Sequence, residues 1–152
     1  MEIERKFLVK TVEFAKIKDN LKSVRMEQGY IATGDHTTVR VRLSDTEAFL
    51  TIKGKTTGCS RPEYEYAIPV ADAKYMLNDF CGNIVSKRRY YYASGEHVWE
   101  IDVFEGDNAG LIIAEIELSA EDEVFSPPDF IGEEVTGIRC YYNGSLAHNP
   151  YS

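Results

Sequence analysis

Charged side chains two residues apart recur along the chain. Glu2 and Glu4 are followed by Lys6, and then come Arg40 and Arg42, Glu63 and Glu65, Lys87 and Arg89, Glu100 and Asp102, and Glu115 and Glu117. Thr51 and Lys53 repeat the spacing with a single charge. In a strand, residues i and i+2 share a face, so each pair points one way while its apolar neighbours point the other. Val39, Val41 and Leu43 flank the arginines, Tyr64 and Tyr66 alternate with Glu63 and Glu65, and Ile116 and Leu118 with Glu115 and Glu117. Clustered carboxylates suit hard divalent cations, and Arg and Lys match phosphate oxygens. The chemistry implied is metal-assisted work on a phosphate chain.

An antiparallel sheet with one face in water shows the same alternation. Three features set this chain apart from that arrangement. The polar positions are charged pairs, with few Ser, Thr, Asn or Gln among them. Like charges repeat within a strand at ~6.8 Å, which is repulsive. Acidic and basic strands are interspersed, as a closed surface needs for mutual compensation. With those residues inside, the sheet encloses a charged tunnel, and ligands complete a constellation that is otherwise costly to bury.

The elements that must position these residues are mostly strands. Candidates are Glu2–Val9, Ser23–Ala32, Thr37–Leu43, Ala48–Gly54, Arg61–Ile68, Val85–Ala93, Val98–Phe104 and Leu111–Leu118, separated by turn material such as Gly34-Asp35, Ser94-Gly95 and Gly106-Asp107-Asn108. They predict a mainly β fold of the α+β kind, an antiparallel sheet curled or closed on itself. Two helices are expected outside it, over its apolar face. Thr11 is positioned to cap a stripe of Phe14, Ile17 and Leu21, and Asp72 one of Ala73, Met76, Leu77 and Phe80 ending at Gly82. A third helix is expected near Cys140–Ala147, weakened by Gly144.

The chain of 152 residues is long enough for one domain with a real core, taken as residues 1–152. Its net charge of −8 argues against general affinity for nucleic acid or an anionic membrane. Cys59, Cys81 and Cys140 lack the spacing of a zinc site or a disulfide framework and read as reduced thiols. With no apolar run of membrane-spanning length and a charged start, the expected location is the cytoplasm. Gly54-Lys55-Thr56 mimics the end of a P-loop, but Phe49 stands where the earlier glycine belongs. His36, His97 and His148 are isolated and read as ordinary packed or solvated side chains.

The series resembles the CYTH superfamily, also called triphosphate tunnel metalloenzymes. Glu2, Glu4 and Lys6 match its N-terminal E-x-E-x-K signature. The match continues through Arg40 and Arg42, Lys53 in Thr51-Ile52-Lys53-Gly54, Glu63 and Glu65, Lys87 and Arg89, Asp102, then Glu115 and Glu117. The short length and the opening look most like compact bacterial inorganic triphosphatases. The resemblance implies an eight-stranded antiparallel β-barrel, helices packed outside, and hydrolysis of a small triphosphate by a monomer or homodimer. Substrate would be held by Lys6, Arg40, Arg42, Lys53, Lys87, Arg89 and Arg139. Mg²⁺ or Mn²⁺ would be held by Glu2, Glu4, Asp102, Glu115 and Glu117. Lys6 with Tyr30 resembles a Lys–Tyr pair of cleaving members, and Glu63 and Glu65 would serve a metal, the basic residues or the attacking water. A class IV-type adenylate cyclase, a thiamine triphosphatase and a non-catalytic polyphosphate- or nucleotide-binding module are the rival readings. The C-terminal segment departs from the family pattern: Ile138 replaces an acid and Cys140 a position often basic, while Arg139 lies one residue early.

Overall fold

The computed structural model describes residues 1–151. Its first strand, β1 (Glu2–Val9), leads into a short helix α1 (Thr11–Ala15) and then the long strand β2 (Lys22–Thr33). The meander β3 (Thr37–Leu43) and β4 (Ala48–Gly54) follows, then β5 (Ser60–Arg61), β6 (Glu63–Ala67) and helix α2 (Val70–Phe80). Strands β7 (Val85–Ser94), β8 (His97–Phe104), β9 (Ile112–Glu117) and β10 (Ile131–Glu134) precede a terminal helix α3 (Asn143–His148).

Every expected strand is present, and the pairing is antiparallel throughout, in the order β10-β1-β9-β8-β7-β2-β3-β4-β6. Two differences raise the count to ten strands. Pro62 cannot donate to a ladder and splits Arg61–Ile68 into β5 and β6. Strand β10, too short to stand out by alternation, adds to the C-terminal half of β1. The curled sheet is fastened by this same segment. Arg61 and Ser60 pair with Glu2 and Ile3 of β1, while Gly54 N–H at the end of β4 donates to the Pro62 carbonyl at 2.9 Å. The clasp is short, so the tunnel is barrel-like rather than closed by one continuous ladder.

Three apolar clusters hold the sheet. On the outer face, Phe7, Trp99, Ile101, Ala114 and Ile116 pack with Phe14 of α1 and with Phe130 beyond β9, while Ile17 and Leu21 flank the cluster. Helix α2 covers Val41 and Ala48 with Ala73, and Met76 and Leu77 lie against them. Phe80, expected in that stripe, is instead 63% exposed. Neither Thr11 nor Asp72 makes a side-chain cap: Lys10 and Pro69 occupy the cap positions. Close approach of α2 to β2 depends on Gly29, where a Cβ would lie 2.7 Å from Cys81 Cβ and 2.9 Å from Leu77 Cδ2.

The third helix does not pack outside. Leu146 and Ala147 join Val85, Phe104, Leu111 and Ile113, with Leu8 and Tyr30 beside them. Those strand residues have the parity of Lys87, Asp102, Glu115 and Lys6, so α3 plugs one end of the sheet's interior. Ile138 and Cys140, where the segment departs from the resemblance, are exposed and take no part in the plug.

Gly29→Ala should cost about 1–3 kcal/mol by forcing α2 off β2. Urea denaturation checks it, and an unchanged midpoint would show that α2 yields freely.

Candidate active site

Alternation along the strands puts the charged pairs on one surface, and the curl of the sheet turns that surface inward. They line a cavity of about 800 Å³ together with Tyr30, Arg61, Glu100 and Tyr142. Of the residues expected in the site, Glu2, Glu4, Lys6, Tyr30, Arg40, Arg42, Lys53, Glu63, Glu65, Lys87, Arg89, Glu115 and Glu117 all reach it. Arg139 stands at its rim, largely exposed and 3.6 Å from Asp35, away from the interior cations. Asp102 is the exception: it does not line the cavity.

The buried position of Asp102 is explained by its partners. Arg89 grips it with Nε at 2.7 Å and Nη2 at 2.9 Å, and Lys87 Nζ lies 2.7 Å away. Burial works against its charge, but Arg89 and Lys87 outweigh this and hold the carboxyl below its usual range. Burial also pulls the Lys87 ammonium down to about 7, despite Asp102. Asn143 of the plug accepts a further hydrogen bond from Lys87 Nζ at 2.9 Å. Asp102 and Asn143 therefore aim the two cations of β7.

The other charges pair between strands, some adjacent and some not. Lys6 Nζ donates to Glu115 at 2.9 Å and lies 3.6 Å from Glu4. Burial opposes its charge, yet these two carboxylates push the ammonium above its ordinary value, so it stays a cation. Glu115 is likewise burdened by burial but held well below the carboxylate range by Lys6, Arg89 and Lys87. Lys53 contacts Glu2 at 2.9 Å and Glu63 at 3.2 Å. Arg40 lies 3.8 Å from Glu65, and Thr51 links them, contacting Arg40 at 3.3 Å and donating to Glu65 at 2.9 Å.

Two imbalances remain. Among the described residues Arg42 makes no salt bridge, and its buried Nε has no hydrogen-bond partner. Burial, with Arg40 and Arg89 close by, lowers this guanidinium to about 10. At the opposite pole, burial raises the carboxyls of Glu2, Glu4 and Glu117. Their negative neighbours add to it: Glu63 for Glu2, Glu115 for Glu4, and Glu2 and Glu100 for Glu117. Register explains the crowding, since β1 and β9 place Glu4 directly opposite Glu117. The cavity thus has one pole short of an anion and another short of cations.

Sequence reasoning missed several members. Arg61 shares the parity of Glu63 and Glu65, a signal that was available, and sits 3.6 Å from Glu2. Tyr142 places its ring 5.4 Å from Lys6 Nζ and 5.8 Å from Arg61, and no strand pattern could have announced it. Asn143, carried by the plug, was hidden in the same way.

An antiparallel sheet curled around a tunnel lined by both signs of charge defines a recognisable class of domain. The CYTH domain profile matches residues 1–144, and the chain belongs to that family. It is 46% identical over 151 residues to a protein of Acetivibrio thermocellus named inorganic triphosphatase, covering 99% of this chain and 95% of that one. A Nitrosomonas europaea protein of the same name is 39% identical over 153 residues, with 96% of each covered. The crystal structure of an inorganic triphosphatase superposes with a TM-score of 0.67 at 36% identity, covering 97% of this chain and 94% of that one. A Pyrococcus horikoshii protein shares the fold at 23% identity, with a TM-score of 0.63 over 80% of this chain and 82% of its own.

Asp102→Asn should destabilise the protein by about 3–5 kcal/mol at pH 7, because it leaves buried Lys87 without a carboxylate and buried Arg89 with Glu100 alone. The carboxyl's folded value is depressed, so its contribution is complete above the unfolded value and is lost as pH falls through the folded one. The gap between the variant and wild type should therefore close in strong acid. Denaturation across pH checks it, and a gap independent of pH would refute the ion-pair origin.

Proposed function

We propose that this protein hydrolyses inorganic tripolyphosphate to pyrophosphate and orthophosphate with Mg²⁺ or Mn²⁺. The observation that carries the reading is Arg42, a half-buried guanidinium that faces the cavity without a counter-ion and whose buried Nε has no partner. Leaving such a charge unpaired costs several kcal/mol unless a ligand supplies the anion. A phosphate chain does so, and Arg40, Lys87 and Arg89 face the same space. The names of the two curated relatives support tripolyphosphate over other triphosphates. The free cysteines fit a reducing compartment, and we take the cytoplasm as the place of action.

The acidic pole fits a hard cation. Its donors are carboxylate oxygens held above their ordinary values by burial and mutual repulsion, and a divalent ion relieves both. Among the described residues no three His, Cys, Asp or Glu side chains already converge on one point. Binding of an ion such as Mg²⁺, whose shell phosphate and water complete, would draw carboxylates together. Glu2, Glu4 and Glu117 would hold it. Glu115 and Asp102 are engaged by Lys6 and by the β7 cations, and would act by holding those groups. When bound, the ion would withdraw charge from phosphoryl oxygens.

Hydrolysis would proceed by in-line attack of water on the terminal phosphorus. The new P–O bond forms as the bridging P–O bond breaks, and its electron pair leaves with pyrophosphate. Arg40, Arg42, Lys53, Lys87 and Arg89 would hold the chain and stabilise its equatorial oxygens. Lys6, fixed as a cation, would face the chain with the Tyr30 hydroxyl as a second donor. Glu63 and Glu65, gripping Lys53 and Arg40, would position those cations.

Phosphate release from tripolyphosphate tests the reading directly. Rapid release that stops on chelation of the divalent ion, and is lost in Glu4→Gln, is expected; pyrophosphate and cyclic AMP from ATP without such release would favour a cyclase. Arg42→Met separates function from stability. It should cut kcat/KM by about 10²-fold or more while the unliganded protein melts no lower than wild type. A lower melting point with full activity would mean that Arg42 serves the fold.

A further inference from the structure

Gln28 is completely buried on the interior face of β2, opposite Arg42 and Val85, and does not line the cavity. Its Nε2 donates to Tyr30 Oη at 2.9 Å. Across the β2–β3 ladder Gln28 stands opposite Arg42, and Tyr30 opposite Arg40. The opposed pair Gln28 and Arg42 keeps two buried polar atoms without partners, the Oε1 acceptor of one and the Nε donor of the other. Reversing the amide would leave donors unpartnered on both residues, so the orientation with Nε2 on Tyr30 is the favoured one. The neighbouring same-face residue on β2, Met26, is buried and apolar, so the strand can fill such a position without a polar group. A buried amide with one unmet acceptor is costly, which points to a use.

The use follows from hydroxyl chemistry. A tyrosine hydroxyl that accepts from an amide N–H keeps its own proton for another acceptor. Tyr30 lines the cavity, and its ring packs against the cluster that includes Leu146 and Ala147 of the plug. We propose that Gln28 is a positioning residue that turns the Tyr30 hydroxyl proton into the tunnel, toward a phosphoryl oxygen of the bound chain. Gln28 itself touches no substrate; it acts through Tyr30. The proposal rests on the triphosphatase reading above.

Steady-state kinetics on tripolyphosphate with wild type, Gln28→Met, Tyr30→Phe and the double variant test it. Gln28→Met keeps the bulk but cannot donate, and should lower kcat roughly tenfold with KM changed less than about twofold. The double variant should be no slower than Tyr30→Phe, because one hydrogen bond is lost only once. Equal fold-losses from Gln28→Met in the wild-type and Tyr30→Phe backgrounds would overturn the proposal, as would an unchanged kcat. Should Gln28→Met not fold, Gln28→Glu keeps the shape but presents only acceptors. Its kcat at saturating substrate should fall to that of Tyr30→Phe, and a wild-type kcat would overturn the proposal. Wild type that releases no phosphate removes the triphosphatase reading and this role together, whereas active wild type with independent variants removes only the role of Gln28.

Discussion

Burial of like charges inside a curled sheet is the constraint on which this structure depends. Strand geometry repeats a charge every second residue, so each strand alone presents repelling neighbours to a low-dielectric interior. Ion pairs between strands resolve most of the conflict, although the acidic strands β1, β9 and β8 stand side by side. Lys6 meets Glu115, Lys53 meets Glu2 and Glu63, and Arg89 and Lys87 share Asp102. What pairing leaves over is divided by position: cationic at Arg42, anionic around Glu2, Glu4 and Glu117. An interior that only needed to be stable would not leave both residues of charge standing. Apolar side chains of similar volume would do better.

The scaffold explains how such an interior stays assembled. Hydrophobic packing lies on the outside of the sheet, around Trp99 and Phe7 and beneath α2, so the sheet is held from its convex face. An apolar zone of the interior lies at the end sealed by Leu146 and Ala147. Through Asn143 and Tyr142 the same terminal segment reaches Lys87 and Lys6. Docking of the C-terminus therefore both closes one end and fixes two cations, which ties its folding to the readiness of the site.

The period-two pattern carried most of this information. Strand positions and the inward face of Glu4, Arg42, Lys87 and Glu115 follow from alternation, because a one-residue slip would turn every charge to the apolar side. Less legible was whatever depends on pairing between distant segments. Asp102 has the parity of a lining residue, yet its neighbours on β7 draw it out of the cavity wall. Arg61 was readable by parity but obscured by the break at Pro62. The inside placement of α3 could not be read from a six-residue helix containing Gly144. Its apolar residues say that it packs, while only the sheet's closure says on which face.

A crystal structure with Mn²⁺ and a slowly hydrolysed tripolyphosphate analogue tests the central claim most directly, since the anomalous signal locates the ion. A manganese peak is expected beside Glu2, Glu4 and Glu117, with phosphoryl oxygens in hydrogen-bond contact with Arg42. An analogue bound outside the tunnel, or inside it with Arg42 still facing no anion, would contradict the account.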